Sequence, residues 1–194
     1  LWKNNADAGT LYRGWDTPGS VSGFEFIEFI DDGVSTELNH PHAITLQDGT
    51  VMAVYTKADT GVADDTIRVR TMTPGSAWSV AVTVTPSSQH PNLYPNVLQL
   101  PDASILLFAW VVDSLTLEAQ IRVWRSTDTG ATWAVSSSFA LDTVVSQAAS
   151  GAGSLGFDIK RIRTAFNNGQ ISMVVELNSR NSSVTDTEVL RQYA

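Results

Sequence analysis

The chain has 194 residues, 43% of them hydrophobic, with a mean hydropathy of −0.02, no cysteine, and 12 Lys and Arg against 20 Asp and Glu for a formal charge of −8. That balance argues against nucleic acid as a partner, because a phosphate backbone is held by clustered Lys and Arg. The lack of thiols excludes disulfides and thiolate metal centres. No apolar run approaches the length of a membrane helix, and no basic region followed by an apolar one marks a leader peptide.

In chain order, Thr10 to Trp15 and Phe24 to Ile30 read as the last strands of a unit that ends within residues 1–39. The first complete unit, residues 40–90, opens with a strand from His42 to Leu46 and turns at Gln47-Asp48-Gly49-Thr50, where glycine supplies the positive φ of a tight hairpin. Val51 to Lys57 is almost continuously apolar, as a strand covered on both faces must be. From Thr66 to Met72 the chain alternates, Ile67 and Val69 facing one way and Arg68 and Arg70 the other. Val80 to Val84 is the outer strand, broken by Pro86-Ser87-Ser88. The second unit, residues 91–145, repeats the scheme with Pro95 to Leu100, Ile105 to Val112, Gln120 to Arg125 and a weak outer strand near Phe139 to Leu141. Ser146 to Gly156, rich in small residues, reads as a connecting loop. The third unit, residues 146–194, has strands from Asp158 to Phe166, Ile171 to Leu177 and Glu188 to Tyr193, with a turn at Asn167-Asn168-Gly169-Gln170.

These units match one another at a fixed spacing. Pro41 and Pro95, Asp48 and Asp102, and Ile67-Arg68-Val69 and Ile121-Arg122-Val123 are each 54 residues apart; one inserted residue moves Trp78 and Trp133 to 55. A long period built only of strand-like runs is the signature of a β-propeller, whose blades cannot bury both faces alone and so stack on their neighbours. The fold class is therefore all-β, a propeller of four-stranded antiparallel blades. Dividing the length by the period gives about 3.6 blades, short of the four to eight of a closed ring. A start at Leu1 and this blade count predict a piece of a longer chain, or several copies that complete one another's ring, so further blades are expected as partners.

Ser126-Thr127-Asp128-Thr129-Gly130-Ala131-Thr132-Trp133 matches the Asp-box, Ser-x-Asp-x-Gly-x-Thr-Trp, and with it the chain resembles the sialidase-like BNR-repeat propeller superfamily. In such a box the Asp bonds the turn's own N–H groups, Gly takes the left-handed position and Trp packs between blades. Ser126, Asp128, Gly130 and Trp133 are thus expected to be structural. The first unit keeps its tryptophan but not the box, since Thr71-Met72-Thr73-Pro74-Gly75-Ser76-Ala77-Trp78 lacks the Ser and Asp.

The resemblance also implies where a site would lie. In sialidases an Arg-Ile-Pro strand supplies one of three arginines that clamp a carboxylate, and a later loop carries an acid. Here His40-Pro41-His42 stands in place of the triplet and Asp64-Asp65 in place of the acid. Tyr12-Arg13-Gly14-Trp15 loosely matches the triplet, and Leu177-Asn178-Ser179-Arg180-Asn181 resembles a strand end bearing a second clamp arginine. The candidate catalytic residues are Asp64 and Asp65, and the candidate ligand-binding residues Arg13, His40, His42 and Arg180. Each has a plainer reading: paired acids are commonly a solvated loop, and two histidines on one face of a strand with no third ligand make hydrogen bonds rather than a metal site. No metal and no cofactor is expected. Trp15, Trp110 and Trp124 either stack on sugars or pack blades together, and Asn181-Ser182-Ser183 fits a glycosylation sequon by pattern.

Two functions remain. The favoured one is a non-enzymatic propeller that binds a glycan or protein, or builds a surface assembly, outside the cell, on its surface or on a virion. The alternative is an exo-acting glycoside hydrolase of sialidase-like architecture whose other catalytic residues lie outside this segment. A propeller fold alone does not choose between them.

Overall fold

A computed structural model describes residues 2–4, 10–15, 26–31, 36–59, 66–84, 94–112, 119–140, 157–179 and 188–193. They form fourteen strands and no helix. β1 (Trp2–Asn4), β2 (Thr10–Trp15) and β3 (Phe26–Asp31) make a three-stranded sheet. β4 (Thr36–Thr45), β5 (Val51–Asp59), β6 (Thr66–Met72) and β7 (Val82–Val84) form a four-stranded one in that order. β8 (Asn96–Gln99), β9 (Ile105–Val112), β10 (Ala119–Ser126) and β11 (Ala134–Ala140) form a second four-stranded sheet. β12 (Phe157–Asn167), β13 (Gln170–Ser179) and β14 (Glu188–Tyr193) make the last. Every pairing is antiparallel between strands adjacent in sequence, which is the meander of a propeller blade. The innermost strand β8 adjoins both β4 and β12, and among the described residues the sheets do not close a ring.

Strand positions follow the sequence pattern closely. β2, β6, β9 and β14 have the expected bounds, whereas β4 begins at Thr36, ahead of the expected start at His42. The outer strand of the second blade also differs. It is not a short segment near Phe139 but a seven-residue strand that begins at Ala134, directly after the box. Its sequence, Ala-Val-Ser-Ser-Ser-Phe-Ala, has no apolar alternation because an outermost strand has little core to face. The Ser146–Gly156 segment and the sequon at Asn181 lie outside the described residues.

Blades stack by one rule applied twice. Met52 and Val54 of β5, with Ile67 and Val69 of β6, pack against Ile105, Leu107, Ala109 and Val111 of β9. At the next interface Leu106, Phe108 and Trp110, with Ile121 and Val123, pack against Ile162, Met173 and Val175. Successive residues of a strand point to opposite faces, so β9 contributes its odd-numbered side chains to one interface and its even-numbered ones to the other. That is why the run from Ile105 to Val111 is buried throughout. Trp110 and Trp124 are 1% and 3% exposed within these interfaces, so both pack blades and neither is a platform for sugar.

The hairpin turns repeat with local variation. In the first two blades a three-residue loop closes with Leu46 N–H donating to Thr50 O and Leu100 N–H to Ser104 O. The left-handed position is Gly49 (φ 85°) in one and Ala103 (φ 65°) in the other. Asp48 and Asp102 each accept the backbone N–H two residues on, at 2.9 and 3.0 Å. Asp102 also takes the Ser104 hydroxyl and an Arg125 guanidinium at 2.7 Å. In the third unit Asn168 and Gly169 are both left-handed between the paired residues Asn167 and Gln170, the two-residue turn expected of Asn-Gly.

Candidate functional site

The innermost strands of three blades break at one repeat position. In β4 the pairing with β5 skips between Asn39 and His42, leaving His40 and Pro41 out of register. Residues 54 further on are Tyr94 and Pro95, immediately before β8 begins at Asn96. In β12 the register shifts between Ile159 and Arg161. Bulges turn side chains away from the sheet and are common beside binding sites. His40 and Tyr94 both have positive φ, 52° and 42°, although each precedes a proline and has a bulky side chain. Backbone strain of this kind persists only where the surroundings over-determine it. Its consequence is that the two rings meet with centroids 3.9 Å apart, tilted by 44°.

These breaks enclose a cavity of about 120 Å³ lined by His40, Pro41, His42, Tyr94, Pro95, Arg161, Ile162 and Arg163. The prolines and Ile162 supply apolar walls, Tyr94 an aromatic one, and the arginines positive charge in a chain of charge −8. Arg161 and Arg163 occupy alternate positions of β12 and both are exposed, able to meet an incoming ligand. His42 is the polar strut of the cavity: its Nδ1 accepts the backbone N–H of Val97 from the next blade at 3.3 Å. Burial, reinforced by the nearby Arg163 charge, lowers its pKa from 6.5 to about 4, so the ring is neutral at physiological pH. A neutral ring with Nδ1 accepting carries its proton on Nε2. The size and lining suit one acidic substituent or one sugar unit rather than a length of chain.

His40 and His42 both line this cavity, on either side of a break in register rather than on a regularly alternating strand. Among the described residues no group of three or more His, Asp or Glu is placed to hold a metal ion. Asp64, Asp65 and Arg180 lie outside the described residues. Arg13 is in β2, which adjoins β4. Sequence reasoning missed Tyr94, Arg161 and Arg163. Tyr94 was findable, being one period after His40. The arginines were not, because β12 lies 66 rather than 54 residues beyond β8 when the two units are aligned on Ala103 and Gly169.

The Asp-box lies elsewhere, at the turn between β10 and β11. The Asp128 carboxylate accepts the Thr132 N–H at 2.9 Å, the Thr132 hydroxyl at 2.5 Å and the Ser126 hydroxyl at 2.7 Å. Those bonds, the Thr132 hydroxyl first, hold its pKa down to about 2. Ser126 Oγ accepts the Gly130 N–H at 2.9 Å, and Trp133 Nε1 donates to Gly130 O at 3.0 Å. Gly130 (φ 88°) is required twice over: a Cβ there would lie 2.6 Å from the terminal methyl of the buried Met52 on the preceding blade. Trp133 is half-buried against the interface containing Met52 and Val69. The box thus ties the outer corner of one blade to the blade before it.

No family model matches the sequence, and no curated protein does. Among solved structures, the α-L-arabinofuranosidase Arb93A of Fusarium graminearum, in complex with an iminosugar inhibitor, matches at TM-score 0.57 and 16% identity over 80% of this chain and 45% of that one. The α-L-arabinanase of Penicillium chrysogenum complexed with arabinobiose matches at 0.54 and 14% over 81% and 46%. A protein of unknown function from Dyadobacter fermentans matches at 0.52 and 17% over 82% and 52%. The chain spans about half the length of each, and the likeness is one of fold: the segment carries blades of a β-propeller similar to those of propeller glycoside hydrolases, as the repeat and the Asp-box led one to expect.

Proposed function

We propose that this segment belongs to a carbohydrate-binding propeller that recognises an acidic sugar without cleaving it, on an extracellular, cell or virion surface. The observation that carries this reading is the convergence of Arg161, Arg163, His40, His42 and Tyr94 on one cavity at the innermost strands. Guanidinium groups are the preferred partners of carboxylates, and apolar and aromatic walls suit the faces of a sugar ring. The similar structures lend support, since two of them hold an iminosugar or arabinobiose. Calorimetric titration with D-glucuronate and sialic acid against neutral methyl glucoside tests the reading. Binding of an acidic sugar that the neutral one does not match, and that Arg161→Ala/Arg163→Ala abolishes, is the expected result.

The alternative, an exo-acting glycoside hydrolase, draws on the same fold likeness and on Asp64-Asp65 in the sequence. Turnover of fluorogenic glycosides by the protein, lost in Asp64→Ala/Asp65→Ala, replaces the binding reading with this one.

A further inference from the structure

One repeat position bridges neighbouring innermost strands at both described interfaces, and only one of its two occupants titrates. His42 Nδ1 accepts the Val97 N–H at 3.3 Å, while 54 residues later Asn96 Oδ1 accepts the Thr164 hydroxyl at 2.5 Å. A ring nitrogen that accepts an N–H must hold a free lone pair, so protonating Nδ1 and keeping the Val97 bond exclude each other. The His42 ring also lines the cavity with Arg161 and Arg163, where Asn96 does not. An anion placed there offsets the positive charge that opposes a proton on His42. Anion and proton therefore favour one another, and each strengthens the other by the same factor.

We propose that His42 is a proton-linked strut, so that an acidic sugar enters the cavity with uptake of one proton by His42 and release of the Val97 amide from the neighbouring blade. The linkage rests on the acidic-sugar reading of the cavity. The titratable and charged groups around His42 are His40 on the same strand, Tyr94 ahead of β8, and Arg161 and Arg163 on β12. Farther along the β4–β5 hairpin are Glu37, Lys57 and Asp59, and the adjoining β1 and β2 contain Lys3 and Arg13. Among these groups only His40 is a second imidazole. A His40→Asn variant therefore separates the two histidines.

The test follows the His42 ring and the Val97 amide by NMR across the acid range, with and without D-glucuronate, and measures the glucuronate Kd near neutrality and near pH 5. Saturating glucuronate should raise the His42 midpoint by about two pH units, from about 4 to about 6, and so tighten binding roughly tenfold between neutrality and pH 5, as reciprocal linkage requires. Protection of the Val97 amide, taken relative to its intrinsic exchange rate at the same pH, should fall in the acidic complex. In His42→Asn the ratio of the two dissociation constants should fall below about twofold, while His40→Asn keeps the tightening. Glucuronate binding that leaves the His42 midpoint unmoved, or tightening that survives His42→Asn, overturns the linkage and leaves the cavity reading intact. If glucuronate binds at neither pH, both fail.

Discussion

Residues 40–84 and 94–140 are two castings of one template, and they differ where a blade meets its neighbour. In the second casting the outer corner is locked by the Asp-box, whose Gly130 presses on Met52 across the interface. In the first, the same corner is a plain turn at Thr73–Ser76, with Ser79 Oγ accepting the Thr71 N–H and a left-handed Gly75 that faces open space. At the inner strands the first casting has a titratable bridge, His42, and the second an amide, Asn96. The strand pattern alone is enough to make a blade. The exchanged residues decide how firmly, and under what conditions, each blade is held to the next.

The largest single effect is expected at a glycine. Gly130→Ala must place a methyl in a left-handed backbone and displace the fully buried Met52, costing about 3 kcal/mol, whereas Gly75→Ala has only the backbone strain, about 1 kcal/mol. Denaturant midpoints for the two variants measure the contrast, and equal losses would break it. Acid comes next. The folded pKa of His42 lies below its unfolded value, so its contribution is complete above about pH 6.5, declines as the pH falls and is gone near pH 4. The total, on the order of 2 to 3 kcal/mol, should vanish from the stability–pH profile of His42→Asn; a parallel profile for the variant would show that His42 has no part in it.

The exchange at the hairpin turns is smaller. Ala103→Gly should stabilise by about 0.5 to 1 kcal/mol and Gly49→Ala destabilise by about 1 kcal/mol, because the two residues occupy the same left-handed position. Asp128→Asn should lower the melting temperature by less than Gly130→Ala does, since the carboxylate is exposed and acts only within its own turn. Melting curves of the four single variants rank these effects.

The blades were legible because burial on two faces writes itself as a continuous apolar run, as in Ile105 to Val111, and burial on one face as alternation, as in Thr66 to Met72. The outer strand at Ala134 was not, for want of a core to face. The site was half legible. His40 and His42 were visible as an unusual substitution in a repeat, but the bulge that aims them is a matter of register, which side-chain type does not encode. Arg161 and Arg163 escaped because the prolines of the first two units give way to Arg161 in the third, with altered spacing. Side chains from three blades meet at the cavity, and a reading that proceeds along the chain has no means of bringing them together.

The claim on which the account depends is that this meeting point receives an acidic sugar. A crystal structure of the full-length protein with D-glucuronate tests it most directly. The sugar carboxylate should lie within hydrogen-bonding distance of the Arg161 or Arg163 guanidinium, with the ring against Tyr94. Glucuronate bound away from the innermost strands, with the cavity holding only water, would contradict it.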